Sequence, residues 1–285
     1  MTARAAWRRG AATLAAAGLP EASREARALL RAAAGFDPWL DLDTPLEPAA
    51  EARYRDWLAR RAAREPHAYI TGGRPFHRVR VGVRPGVLIP RPETELLVDA
   101  ADRLAPRGAR VCDLCTGSGA IALALAMERP DLRLDATDIS EAALEVAADN
   151  VCRLGVGDRV ALQRGDLWAA LPAARAGDYA VCVCNPPYID PRDWTALPPE
   201  VRDHEPRLAL VAEQGYREMY RRIADGAHRW LAAGGWLVVE VGAGQAAAVE
   251  ALFVEHGLRD CFHLQDVGGF ARVVGGRWSG CGRDG

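Results

Sequence analysis

No stretch of about 18 apolar residues free of charge occurs in the chain, which excludes a membrane-spanning helix. The arginine-rich start lacks a long apolar core followed by a cleavage site, so no leader is expected and the protein is placed in the cytoplasm. A large excess of either charge is also missing. The formal net charge of −2 excludes a basic nucleic-acid binder as a description of the whole molecule. Cysteine occurs seven times, an odd number, without the spacing of a small disulfide scaffold. The six histidines are scattered and none pairs at metal-ligand spacing, so no metal is expected. Lysine is absent altogether, and all 36 basic residues are arginine.

The arginines are unevenly spread. Residues 1–80 carry fourteen of them against nine acids, net +5, which leaves −7 on the rest. Arginine meets phosphate and carboxylate through a planar fork, so a nucleic-acid or acidic-protein partner for the front of the chain stays open. A composition bias toward alanine and arginine explains the same excess. Cys112 and Cys115 have C-x-x-C spacing, and Cys182 and Cys184 fall on a neighbouring predicted strand. Strand alternation sends the first two to opposite faces, so buried small hydrophobes are expected rather than a metal site.

At 285 residues, with about 150 per domain as a prior, two domains are expected. Residues 3–65 show helical spacing, broken at Gly18-Leu19-Pro20, Gly35–Pro38 and Thr44-Pro45. Residues 1–70 are expected as a helical domain that recognises the substrate. Residues 71–91 are expected as a β-hairpin linker, with a strand from Phe76 to Val83, a turn at Arg84-Pro85-Gly86 and a return at Val87–Ile89. Pro92 and the acids after it start a helix, and residues 92–285 form the second domain. There, strands at Arg110–Leu114, Leu132–Thr137, Val160–Gln163, Tyr179–Cys184 and Gly235–Val241 alternate with helices. This predicts an α/β, doubly wound, mostly parallel sheet. A last pair of strands, near Gly257–Gln265 and Ala271–Val274, is joined too tightly for a crossover and should be antiparallel. Trp39, Trp57, Trp230 and Trp236 are expected in the core.

Two sites carry chemistry. Asp113-Leu114-Cys115-Thr116-Gly117-Ser118-Gly119 follows a strand and opens a helix, where open α/β sheets bind ligands. Asp138 ends the next strand, where an acid can accept hydrogen bonds from ribose hydroxyls. These features fit a nucleoside cofactor without saying which, since Gly117, Gly119 and Ala122 also satisfy a dinucleotide pattern. The second site is Asn185-Pro186-Pro187-Tyr188, at the end of the apolar strand Tyr179–Cys184. The Asn185 carbonyl can accept from a substrate NH2. The prolines bias the loop toward carbonyl acceptors, and Tyr188 can lie on a flat amide or base. A conjugated nitrogen is a poor nucleophile. Acceptors on its protons localise charge and aim its lone pair at a methyl sulfonium.

The tetrapeptide with the Asp113–Gly119 loop resembles amino-methyltransferases of the class I fold, which include adenine-N6 DNA and protein glutamine enzymes. Tyr69-Ile70-Thr71-Gly72, Val87–Glu95 and Glu205-Pro206-Arg207-Leu208-Ala209-Leu210 narrow this to a resemblance with the bacterial release factor glutamine methyltransferases, running from about residue 20 to 276. The resemblance implies S-adenosyl-L-methionine as methyl donor and N5-methylglutamine as product, with class 1 peptide-chain release factors as partner and the glutamine of their Gly-Gly-Gln loop as target. It implies a cofactor site at Cys115, Thr116, Gly117, Ser118, Gly119, Asp138, Leu167 and Asn185, with Trp168 as an alternative to Leu167 beside the adenine. It implies a catalytic set of Asn185, Pro186, Pro187 and Tyr188. A monomer without direct nucleic-acid contact is expected. One departure is Cys115, where the family has glycine. If φ must be positive there, the side chain costs on the order of 1–2 kcal/mol. The alternative, an adenine-N6 DNA methyltransferase, needs a basic groove and a recognition insert, and neither is visible.

Overall fold

A computed structural model describes residues 1–35 and 42–280. Its contacts divide the chain into two units, Met1–Gly73 with Pro198–His204, and Arg74–Leu197 with Glu205–Gly285.

The first unit is built on α1 (Ala3–Ala16), α2 (Ala22–Ala34) and α3 (Pro48–Ala62). The Thr2 hydroxyl caps α1 by accepting from Ala5 N, and Pro48 suits the first turn of α3 because it has no N–H to leave unpaired. Leu14, Leu29, Leu30, Tyr54 and Leu58 close the core. Gly10 is required in α1, since a Cβ there would lie 2.0 Å from the Tyr54 hydroxyl. That hydroxyl donates to Ala26 O at 3.1 Å. A short helix, α4 (His67–Ile70), follows α3. The buried Arg61 guanidinium pairs with Glu25 and with Glu200 of the Pro198–His204 segment.

The hairpin is shifted from its expected register. It pairs β1 (Gly73–Phe76) with β2 (Val79–Gly82), and the chain turns at His77 and Arg78. His77 takes a left-handed φ of 50° to make that turn. Residues 87–89 are not a returning strand, because Ile89 N donates instead to the Glu205 carboxylate at 3.0 Å. Alternation at Val79, Val81 and Val83 fits either pairing, so the pattern alone left the register open.

The second unit continues with a single turn at Pro92–Thr94 and α5 (Glu95–Leu104). Then follow β3 (Arg110–Leu114), α6 (Ala120–Glu128), β4 (Arg133–Asp138), α7 (Glu141–Leu154), β5 (Val160–Arg164) and β6 (Tyr179–Cys184). After α8 (Pro199–Arg202), which belongs to the first unit, come α9 (Tyr216–Trp230), β7 (Leu231–Glu240), α10 (Ala246–Glu255), β8 (Leu258–Gln265) and β9 (Ala271–Trp278). The strand order is β5-β4-β3-β6-β7-β9-β8. All neighbours are parallel except β7–β9 and β8–β9, as the short connection between the last two strands required. The order reverses between β3 and β6, and that switch point opens a crevice at the carboxyl ends of the two strands.

Cys112 and Cys182 face each other across β3 and β6, and burial pushes the Cys112 thiol far above its ordinary range. No group of acids, histidines and cysteines among the described residues is arranged to hold a metal. Trp230 is buried, but Trp57 and Trp236 are only partly covered, and Trp39 lies outside the described residues. Trp168 and Trp278 are buried in their place. No described helix is long and apolar enough to cross a membrane.

Candidate active site

Leu114 and Cys184 are register partners at the ends of β3 and β6, so the loops that leave these strands emerge side by side. The first loop is braced from below. Asp113 is fully buried, and its Oδ2 accepts from Thr116 Oγ1 at 2.5 Å and from Ala122 N at 3.2 Å. Burial pushes this carboxyl up to about 7, against the pull of those two hydrogen bonds. Its Oδ1 has no partner among the described residues. Cys115 is held left-handed at φ 57°. Gly119 turns into α6 at φ 83°, where a Cβ would sit 3.2 Å from Leu123 Cδ1.

Asp138 ends β4 beside this loop. Its Oδ2 accepts from Gly117 N and its Oδ1 from Ser140 N, both at 2.8 Å. Burial raises its pKa, and the backbone N–H groups lower it. Each oxygen thus takes one of these bonds, and lone pairs remain for further donors.

Above these loops lies a cavity of about 300 Å³. Cys115, Thr116, Gly117, Ser118, Asp138, Leu167 and Asn185 all line it, with Leu88, Ile139 and Pro187. Gly119 does not line it and serves the turn instead. Trp168 turns away, with its indole N–H donating to Ile223 O at 3.0 Å in the core against α9. The cavity suits an adenosyl group: the Asp138 oxygens offer acceptors to a ribose diol, and Leu88, Ile139 and Leu167 offer apolar walls to a base.

The tetrapeptide divides between two spaces. Asn185 and Pro187 face the large cavity, whereas Pro186 and Tyr188 line a recess of about 20 Å³ with Leu88 and Arg91. Asn185 borders both. Beyond Tyr188, the chain is held by Ile189 N donating to Leu210 O and Ala212 N to Ile189 O. Glu205 fixes the opposite wall through Ile89 N and through Arg91 Nη2 at 2.6 Å. Arg91 is thereby an anchor within the Pro90–Glu95 segment.

Sequence reasoning missed what supports the tetrapeptide. Asn185 Nδ2 donates to Thr94 Oγ1 at 3.0 Å, and Thr94 Oγ1 donates to Glu240 Oε2 at 2.6 Å. The Tyr188 hydroxyl donates to Glu240 Oε1 at 3.2 Å. Glu240 closes the buried run Leu237-Val238-Val239 and is itself 2% exposed. Burial pushes its carboxyl up to about 7, and the bonds from Thr94 and Tyr188 oppose that rise. Burial, and after it the Glu240 charge, keep the Tyr188 phenol protonated. An acid ending an apolar strand at the ligand edge was the available signal.

Two families match the chain. One described as PrmC N-terminal domain covers residues 5–72, and one described as Methyltransferase small domain covers residues 92–197. The release factor glutamine methyltransferase of Geobacter sulfurreducens is 43% identical over 274 residues, covering 95% of this chain and 94% of the relative. The protein of the same name from Cereibacter sphaeroides is 46% identical over 267 residues, covering 93% and 94%. Among solved structures, a methyltransferase from Pyrococcus furiosus matches with a TM-score of 0.53 at 15% identity, covering 70% of this chain and 89% of that one. That likeness speaks for the fold alone.

Proposed function

The chain belongs to the release factor glutamine methyltransferase family, and from that premise we propose that it methylates the side-chain amide of the glutamine in the Gly-Gly-Gln loop of a class 1 release factor. It is an S-adenosylmethionine-dependent enzyme of the class I fold. When bound, S-adenosylmethionine supplies the electrophilic methyl group. Cys115 to Ser118, Asp138 and Leu167 hold the donor in the large cavity. The recess beside it takes the glutamine amide. Asn185 Oδ1 accepts from the substrate NH2, with Pro186 and Pro187 stiffening the loop and Tyr188 forming a wall. Holding those protons orients the nitrogen lone pair and stabilises charge as the C–N bond forms.

The observation that carries this reading is the position of Asn185, shared by the cavity and the recess. The arginine-rich residues 1–70 hold the release factor, residues 71–91 link, and residues 92–285 carry the chemistry. Residues 1–80 are net +5, of which residues 1–70 carry +2, and the net −7 of the remainder speaks against a nucleic-acid substrate. The enzyme acts as a monomer in the cytoplasm.

The test is mass spectrometry of a full-length release factor, a short Gly-Gly-Gln peptide and adenine-containing DNA after incubation with donor. The release factor gains one methyl on glutamine, and the peptide reacts poorly because remote binding energy is missing. Asn185→Ala lowers kcat by roughly 100-fold or more while release-factor binding stays near wild type. Methylation of DNA and not of release factor overturns the reading.

A further inference from the structure

The amide of an asparagine has two ends of similar size and opposite hydrogen-bonding character. For Asn185 to accept from a substrate NH2, its Oδ1 must face the site and its Nδ2 must face away. The tetrapeptide does not impose this choice by itself, because rotation about the last side-chain bond exchanges the two ends.

The neighbours of Asn185 do impose it. Thr94 Oγ1 has one proton, which goes to Glu240 Oε2 at 2.6 Å. Toward Asn185 the hydroxyl is left only with lone pairs, so it accepts, and the group it accepts from is Nδ2 at 3.0 Å. The other oxygen of Glu240 takes the Tyr188 hydroxyl proton at 3.2 Å. One carboxylate, at the end of β7, thus sets the polarity of two chains of bonds that both end in the Asn185–Tyr188 loop.

We propose that Glu240 and Thr94 are positioning residues of the transfer reaction: the carboxylate commits the Thr94 proton, Thr94 thereby fixes the Asn185 amide with its carbonyl toward the substrate, and the same carboxylate holds the Tyr188 ring. This rests on the reading of Asn185 as the acceptor for the substrate amide. Neither residue lines the recess assigned to the substrate amide, although Thr94 borders the large cavity. Their effect is on the orientation of Asn185, which borders both spaces.

The arrangement works only while Glu240 is an acceptor on both oxygens. Burial disfavours its charge most, the Glu93 carboxylate adds to that, the Thr94 and Tyr188 hydroxyls and the Arg272 guanidinium stabilise it, and the buried Tyr220 phenol lies within its field. A carboxyl raised to about 7 gains a proton within a readily sampled range. A protonated Glu240 can donate to Thr94. The Thr94 hydroxyl is then free to donate to Oδ1, and the amide can turn its wrong end to the site. Turnover should therefore fall as pH drops through about 7.

The experiment measures kcat and KM on full-length release factor across pH 5.5–9, with donor affinity by calorimetry and thermal melting as checks of folding. Thr94→Val keeps the shape and removes the acceptor, and kcat should fall roughly tenfold or more, with KM for the release factor near wild type. Thr94→Ser keeps the hydroxyl and should retain most of the activity. Glu240→Gln can offer Thr94 either end of its own amide, so the acid limb near pH 7 should disappear and the plateau should be lower. Should Glu240→Gln fail to fold, the Thr94 pair still decides. Wild-type kcat in Thr94→Val, or an unchanged acid limb in folded Glu240→Gln, overturns the proposal while leaving the assigned function in place. A wild-type chain that binds donor and leaves the release factor unmodified overturns both.

Discussion

Two buried carboxylates sit beneath the two loops of the site, and they are braced in different ways. Asp113 supports the loop proposed to hold the cofactor through its own segment, to Thr116 three residues on and to Ala122 N nine residues on. Glu240 supports the Asn185 loop through hydroxyls from elsewhere, Thr94 at a separation of 146 residues and Tyr188 at 52. Burial raises both to about 7. The local brace shapes a backbone and so bears on what the loop binds. The distant brace orients side chains and so bears on what the loop does once the ligands are bound.

The strongest way to break that division is Asp113→Ala. It leaves the Thr116 hydroxyl and Ala122 N without their acceptor in a dry interior, at a cost of about 2–3 kcal/mol of stability. Donor affinity should fall with it, by calorimetry, because Cys115–Ser118 lose their anchor. If Asp113→Ala melts lower but binds donor as well as the wild type, the brace is structural only and the contrast with Glu240 collapses. Asp138→Ala sharpens the same side. It removes the acceptor proposed for the ribose and should weaken donor binding by about 1–3 kcal/mol, with kcat at saturating donor changed far less.

The two braces also explain how much of the site was legible. β3, its loop and α6 are consecutive, as are β6 and Asn185–Tyr188, so their chemistry is written in adjacent letters. Thr94 and Glu240 meet only because α5 and β7 are brought together by the sheet order; the acid ending an apolar strand was a signal for Glu240, but nothing local separates Thr94 from an ordinary helix start or pairs the two. The same limit explains the division of the tetrapeptide between two spaces. Composition and spacing could place Asn185, Pro186, Pro187 and Tyr188 at the ligand edge, but which side each would face depends on how residues 189 and 210–212 zip together. The hairpin register failed for a related reason, since Ile89 was claimed by Glu205, a residue 116 positions away.

A smaller effect follows from titration and compares the braces directly. Both carboxyls have folded pKa values near 7, above the ordinary 3.8 for Asp113 and 4.5 for Glu240. The folded state therefore holds protons that the unfolded chain releases between those values. The stability linked to that retention is present in full below the ordinary values and is lost as pH rises through about 7. Each group contributes a slope of at most about 1.4 kcal/mol per pH unit in that window. Denaturant titrations of Glu240→Gln between pH 5 and 8 should show a flatter decline than wild type. Stability and turnover then respond to Glu240 in opposite directions, which a merely structural residue would not produce. An identical decline in the variant would remove Glu240 from the argument.

The smallest expected change tests the one place where the local brace holds an unsuitable residue. Cys115 sits at φ 57°, in the left-handed region where a Cβ costs about 1–2 kcal/mol. It also lines the large cavity. Cys115→Gly removes both the backbone penalty and the thiol, while freeing the unfolded chain by about 0.5–1 kcal/mol, so its net effect on melting should be small. Donor affinity should improve by about 1 kcal/mol, because the loop no longer carries strain into the bound geometry. Cys115→Ala separates the two causes, since it keeps the Cβ and its strain but removes the sulfur. Affinity that improves equally in Ala and Gly assigns the effect to crowding by the thiol. Improvement in Gly alone assigns it to the backbone. Equal or weaker binding in the Gly variant would mean that Asp113, Thr116 and Asp138 hold the loop rigidly enough for a cysteine to sit there without consequence for the donor.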